Sequence, residues 1–382
     1  MLSDKELEKL AQPIIDIFNS MELELIEEVS ARFDRYDVVG GSLEWQMKML
    51  EKMGVLNQAL IRIIAANTNK TEAEITKMLK AAGMANFSQA EIDKAYAMGV
   101  VSVTYKEAMK SPVLANIIKH TEIETNKTIS MIKTKALESS RQAYMDVINK
   151  AYIETSSGLR SYDESIFKAL KEMGKNGIKG ATYKRTRSDG SQVTVQYSLE
   201  GTVRRDVVTA VNSLANRVSV EAADAIGYEH VEVSQHYGAR TGNGGHNHTN
   251  HAWWQGKVYK VHGSDDQYDN LAEVTGMGKI DGLGGVNCRH RTYPFLVGVS
   301  KPHQHIDEAQ DKVIEMANKG LRKLEREIRQ LRKEYAAIKP IGTPQEKKTA
   351  KQAILDKSDE IDKYCKAHGL KRQFNRERVA EL

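Results

Sequence analysis

The chain has 382 residues, too many for one typical core, which predicts two or three domains joined by long helices. Charged residues make up 28% and aromatics 6%, with six prolines, a balance that argues against an all-β protein and for a helix-rich component of an assembly. The net charge of +5, spread over this length, gives no electrostatic footprint for nucleic acid. Cys288 and Cys365 lie too far apart for a disulfide framework, which points to a reducing compartment at synthesis. The opening residues Met1-Leu2-Ser3-Asp4-Lys5-Glu6 mix acid and base, and no later segment approaches about eighteen apolar residues in a row, so neither a secretion signal nor a membrane span is expected.

The first 155 residues read as helices. Ser3 with Glu6, Thr71 with Glu74 and Ser88 with Glu91 have the spacing of capping boxes, in which a hydroxyl and a carboxylate satisfy the free amides of a first turn. Gly83 and Gly99 stand where the last two of these helices should stop. Leu7, Leu10, Ile14, Phe18, Leu25, Ile26, Val29 and Phe33 make one apolar face, to be buried against a second helix carrying Trp45, Met49, Met53, Leu56, Leu60 and Ile64. From residue 112 to about 152 nothing breaks the pattern, which predicts one long helix or a closely joined pair. Ordinary core packing accounts for each of these stripes.

Ser156-Ser157-Gly158 marks a boundary. Ser161 and Glu164 cap a short helix ending at Gly174, and residues 182–199 read as a hairpin around Asp189-Gly190 with Val193, Val195 and Tyr197 on one face. Val203, Val207, Val211, Leu214, Val218 and Ala222 then hold helical spacing up to Gly227, and Val231 and Val233 signal a strand. Further short strands are expected at residues 257–261 and 292–297. After residue 300, Ile306, Ala309, Val313, Ala317, Leu321, Leu324, Ile328, Leu331 and Tyr335 step by three and four, a coiled-coil-like seam, with the mixed charges around Leu324 on a solvated face. Thr343-Pro344-Gln345-Glu346 is a strong helix start, the last helix should end near Gly369, and residues 375–382 are expected to stay mobile until a partner orders them.

Between His236 and Pro294 the composition changes to histidine, glycine and the adjacent Trp253 and Trp254. Its skeleton is His236, Gly238-Ala239-Arg240, His251, Trp254-Gln255-Gly256, Gly276, Gly278, Gly282, Asn287-Cys288-Arg289-His290 and Pro294. His236, His251, Cys288 and His290 are donors of the kind zinc takes, and Cys288 and His290 alternate so that both face one side of a strand. Three readings stay open: a structural metal, structural histidines held by hydrogen bonds, and other chemistry. A histidine-metal nuclease loop around Asn243, His246 and His248 is disfavoured, because Asn243-Gly244-Gly245 is a flexible turn and both histidines read as solvent-facing. Trp253 and Trp254 are expected to anchor the loop against the hairpin sheet, with a partner contact as the alternative. Arg240 and Arg289 are expected to bridge loop carbonyls or the carboxylates of Asp265, Asp266 or Asp281. The glycines do not follow a strand and open a helix, which argues against a nucleotide site.

This spaced series resembles the signature of a tailed-phage family, phage minor capsid protein 2, and more distantly the phage-Mu-type head morphogenesis proteins. The helical first half and the ending Tyr364-Cys365-Lys366-Ala367-His368-Gly369-Leu370 extend the resemblance to nearly the whole chain, with departures at the inserted loop 241–250 and at Met277. The fold expected is α+β and predominantly helical: a helical docking domain over 1–155, a compact α+β domain with Gly/His-rich loops over 156–300, and coiled-coil-like charged helices over 301–382. The resemblance implies a minor structural protein of the phage head, made in the bacterial cytoplasm and placed in the virion interior near the portal. Its implied partners are the portal protein and the major capsid or scaffold proteins, with packaged double-stranded DNA nearby and no enzymatic activity. The alternative is a metal-dependent enzyme, a nuclease or delivered effector, using the His/Cys cluster. Zinc is the one cofactor the residues suggest.

Overall fold

A computed structural model describes residues 4–35, 42–85, 87–186, 191–242, 244–286, 288–302 and 308–379. The expected features at Ser3, Asp189-Gly190, Asn243, Asn287 and Ile306 lie outside the described residues. In chain order come helices α1 (Asp4–Ser30), α2 (Ser42–Glu51), α3 (Met53–Met84), α4 (Gln89–Ala97), α5 (Tyr105–Ala108), α6 (Pro112–Ser156) and α7 (Tyr162–Asn176). Strands β1 (Lys179–Thr186) and β2 (Gln192–Ser198) lead to α8 (Leu199–Glu221), α9 (Ala223–Ile226), β3 (His230–Val233), α10 (His251–Trp254), β4 (Val258–Lys260), α11 (Leu271–Thr275) and β5 (Thr292–Phe295). The chain continues through α12 (Glu308–Ile338), α13 (Pro344–Ala367) and α14 (Phe374–Glu377). The protein is 66% helical, a predominantly helical α+β fold. Among the described residues no helix is long and apolar enough to cross a membrane.

The chain clusters into two compact units, each gathered from three separate stretches: Met1–Pro13, Ala73–Lys127 and Arg204–Met316 in the first, Ile14–Glu72, Thr128–Val203 and Ala317–Leu382 in the second. The divisions read from the sequence at 155/156 and 300/301 fall inside these stretches.

In the second unit the apolar stripe of α1 is buried, with Ile14, Phe18, Leu25, Ile26 and Val29 at most 1% exposed, and Trp45, Met49, Leu56 and Leu60 of α2 and α3 are buried with them. The Tyr144 hydroxyl on α6 donates to the Met49 carbonyl at 2.6 Å, which satisfies a polar tip inside this core. No helix starts at Thr71. α3 runs through it, and the buried Thr71 hydroxyl donates to the Asn67 carbonyl one turn back, at 2.7 Å, so the cap-like spacing is met inside a continuous helix. α7 begins with the expected reciprocal box of Ser161 and Glu164 but runs on past Gly174 to Asn176, where Gly177 takes the positive φ of 61°. The hairpin β1–β2 forms, antiparallel, with Tyr183 and Tyr197 edge to face across it.

The seam of α12 holds from Ala317 onward. Leu321, Leu324, Ile328 and Tyr335 pack with Ile354, Ile361 and Cys365 of α13 in one cluster. Val313, expected in the same seam, is 64% exposed, and the side chain of Ala309 is outside those described. Thr343 and Glu346 cap α13 reciprocally behind Pro344. Two charged groups pin the apolar elements. Lys333, 5% exposed, donates to Glu22 Oε1 at 2.9 Å, and the same oxygen accepts from the Ile178 amide at 3.0 Å. Arg35 forks between Asp163 Oδ2 at 2.8 Å and Glu346 Oε2 at 2.7 Å. The tail differs from expectation. Residues 374–377 form α14, Arg376, Glu377 and Val379 are buried, and Arg372 pairs with Glu377, while residues 380–382 lie outside those described.

In the first unit Ser88 caps α4 as expected and Gly99, φ 73°, follows its end. Val207, Val211, Leu214 and Val218 of α8 are fully buried. The three-stranded sheet has the order β4-β3-β5, both pairs antiparallel, with Val231 opposite Tyr259 on one side and Pro294 on the other. Pro294 sits on an edge strand, where a missing amide donor costs least.

Candidate functional site

The glycine- and histidine-rich region folds against α8 and the three-stranded sheet. The reason lies in α8: Asn212, Asn216 and Ser219, spaced four and three apart, turn polar side chains toward an extended segment and replace the sheet partner it lacks. Asn212 donates to the Cys288 carbonyl, Asn216 donates to the His290 carbonyl at 3.1 Å and accepts from the Thr292 amide at 2.7 Å, and Ser219 donates to the Thr292 carbonyl at 2.7 Å. Buried backbone groups must be paired, and here helix side chains pair them. Sequence reasoning missed these three residues. Their signal was polar side chains at helical spacing beside the apolar stripe of α8, which reads equally well as a solvated face.

Held in this way, Cys288 and His290 face His251, the first residue of α10. Cys288 Sγ lies 3.8 Å from His251 Nδ1 and 3.7 Å from His290 Nδ1. The three donor atoms lie within 4.8 Å of one another, and the residues are 2%, 1% and 1% exposed. The far nitrogens are tied down. His251 Nε2 lies 2.9 Å from the Asp281 carbonyl and His290 Nε2 lies 2.9 Å from Gln255 Oε1. Burial, reinforced by the neighbouring His236, holds the His290 imidazole well below the usual histidine range, and burial likewise lowers His251 against the opposing pull of the Asp281 carbonyl. Burial thus favours the neutral form of both rings.

Of the four candidate ligands, three converge. His236 instead stacks on the His290 ring, centroids 4.3 Å apart, with its Nδ1 at 3.0 Å from the Tyr237 carbonyl. Trp254 is buried, packs on the rings of His251 and His290, and donates its indole N–H to the His248 carbonyl at 3.0 Å, so its anchor is this cluster. Gln255 does more than permit a close approach, since Oε1 accepts from the His236 amide as well as facing His290. Arg240 bridges loops through the Val286 carbonyl at 2.8 Å. Arg289 is exposed, and the guanidinium buried here belongs to Arg291, 1% exposed. His246 is exposed and stacks on Trp253, whereas His248 is half-buried with its ring 3.2 Å from Asp281 Oδ1 and so is built into the loop that was expected to leave it in solvent.

The glycines shape these loops. Gly238, Gly256, Gly276 and Gly278 all take positive φ. Two are forced by contact. A Cβ on Gly282 would sit 2.1 Å from the Gly276 carbonyl oxygen, and one on Gly276, φ 61°, would strike the His248 ring at 2.8 Å. Backbone packed on backbone in this way positions Asp281 under His251.

The chain is 24% identical over 349 residues to a structural protein of Lactococcus phage LL-H, with 88% of each chain covered. The family described as phage minor capsid protein 2 matches residues 2–366, and the chain belongs to that family. It is a phage structural protein, a component of the virion. No solved structure matches it. Membership does not favour the nuclease or effector alternative.

Proposed function

We propose that this protein is a minor head component that assembles with the portal and with major capsid or scaffold proteins, and lies inside the head near the packaged double-stranded DNA. The observation that carries the reading is the family match across residues 2–366, which spans the helices as well as the loop domain. A feature of α2 supports it. Leu43, Met47 and Leu50 follow one another at helical spacing and are 63%, 57% and 40% exposed, while Trp45 and Met49 on the other side are buried. An amphipathic helix with a second, uncovered apolar face is suited to docking in a groove of another subunit.

Mass spectrometry of purified proheads and mature virions tests the reading. The protein is expected in both, and the double variant Leu43→Asp, Met47→Asp is expected to fold but to be lost from particles and from co-purification with the portal protein. A protein missing from both kinds of particle, or a variant incorporated as well as wild type, would sink the assignment.

A further inference from the structure

We propose that His251, Cys288 and His290 form a buried zinc site that ties the start of α10 to the segment entering β5. The argument begins with tautomers. The Asp281 carbonyl can only accept a hydrogen bond, so His251 carries its proton on Nε2. The same holds for His290, because Gln255 Oε1 also accepts from the His236 backbone amide, which identifies that atom as the oxygen. With both protons placed on Nε2, both Nδ1 lone pairs face Cys288 Sγ. A thiol has one proton and can serve only one of two lone pairs. A cation that draws on both imidazoles and the thiolate satisfies all three.

Distances agree with that occupant. Tetrahedral zinc, with Zn–S of about 2.3 Å and Zn–N of about 2.0–2.1 Å, sets S···N separations of roughly 3.6 Å. The two observed separations are 3.7 and 3.8 Å. Soft sulfur beside two imidazoles selects zinc over calcium or magnesium, which take oxygen. The carbonyls behind each imidazole are the outer partners that metal-bound histidines use to fix ring orientation. On binding, the Cys288 S–H bond would break, the proton would leave to solvent, and the thiolate would join the two imidazoles as a donor. His236, stacked on His290, packs against the site. The ion's role is to hold these loops as one body, which goes beyond docking and does not depend on it.

The test uses the full chain, purified without a tag from zinc-supplemented cells. Elemental analysis is expected to find about one zinc ion per chain. After chelation, cobalt added to the apo protein is expected to give a thiolate-to-cobalt charge-transfer absorption, and zinc is expected to raise the apo melting temperature. Cys288→Ser is expected to lose that absorption and most of the zinc, while His246→Ala, exposed and outside the donor set, keeps both. If Cys288→Ser fails to fold, the wild-type cobalt spectrum decides alone. Folded wild-type protein without zinc and without a cobalt spectrum overturns the site, as does full zinc retention in Cys288→Ser or equal loss in His246→Ala. The readouts come from purified protein, so a failure here is distinct from a failure of particle incorporation.

Discussion

The paired helices α12 and α13 and the loop region around Cys288 solve the same problem of ordering a segment by opposite means. The helices are joined by an apolar seam in which Leu321, Leu324, Ile328 and Ile361 supply burial and no atom depends on a single partner. The loops contain short elements and glycines, and their order rests on specific polar bonds from Asn212, Asn216, Ser219, Gln255 and Arg240. Burial is non-directional and tolerates exchange of shape, whereas a buried polar bond leaves its partner stranded when one side is removed. The two regions should therefore respond differently to change of equal size.

The largest effect is expected where the helical region borrows the other strategy. Lys333→Met strands the Glu22 carboxylate in the core and should cost about 3–5 kcal/mol in denaturant unfolding, whereas adding Glu22→Gln, which keeps an acceptor for the Ile178 amide, should recover most of it. A single variant with wild-type stability would show that the pair is solvated. Next, Asn216→Ala removes the partners of the His290 carbonyl and the Thr292 amide and should cost about 2–3 kcal/mol, read as a lower melting temperature. A smaller effect is expected at the Arg35 fork. Its hydrogen bond to Arg35 is the main cause that holds Glu346 below the usual carboxylate range, so the pair contributes stability above the ordinary glutamate pKa and loses it as the pH falls through the lowered value. Acid titration of Glu346→Gln against wild type should show a shallower loss in the variant, and parallel curves would remove the linkage. Smallest of all, Leu321→Met in the seam should cost about 1 kcal/mol or less. Should it cost as much as Asn216→Ala, the contrast between the regions fails.

The same contrast explains what could be read from the residues alone. Helices with an apolar stripe announce themselves by period, and α1, α6, α8 and α12 stand where the spacing puts them. Caps with a reciprocal carboxylate at Ser161 and Thr343 were equally legible, but Thr71 was not, because a hydroxyl inside a helix can turn back to the carbonyl four residues earlier and mimic the pattern. The approach of Cys288 and His290 follows from their alternation, and their meeting with His251 could be suspected from residue type. His236 could not be separated from the set, since ring stacking and coordination call for the same residue. The polar face of α8 stayed hidden because asparagine on a helix carries no mark of which side is wet. The start of the tail was not legible either, since the pairing of Arg372 with Glu377 leaves no periodic mark.

The interleaving of the two units has a consequence for how the protein is made. The second unit recruits Ala317–Leu382 to stretches translated far earlier, and the first is complete only at Met316. Early helices must therefore wait for part of their native surroundings, and a nonsense codon anywhere before the closing helices leaves the second body unfinished. Synthesis to the closing helices thus acts as a gate on quality, withholding a finished second body from prematurely terminated copies.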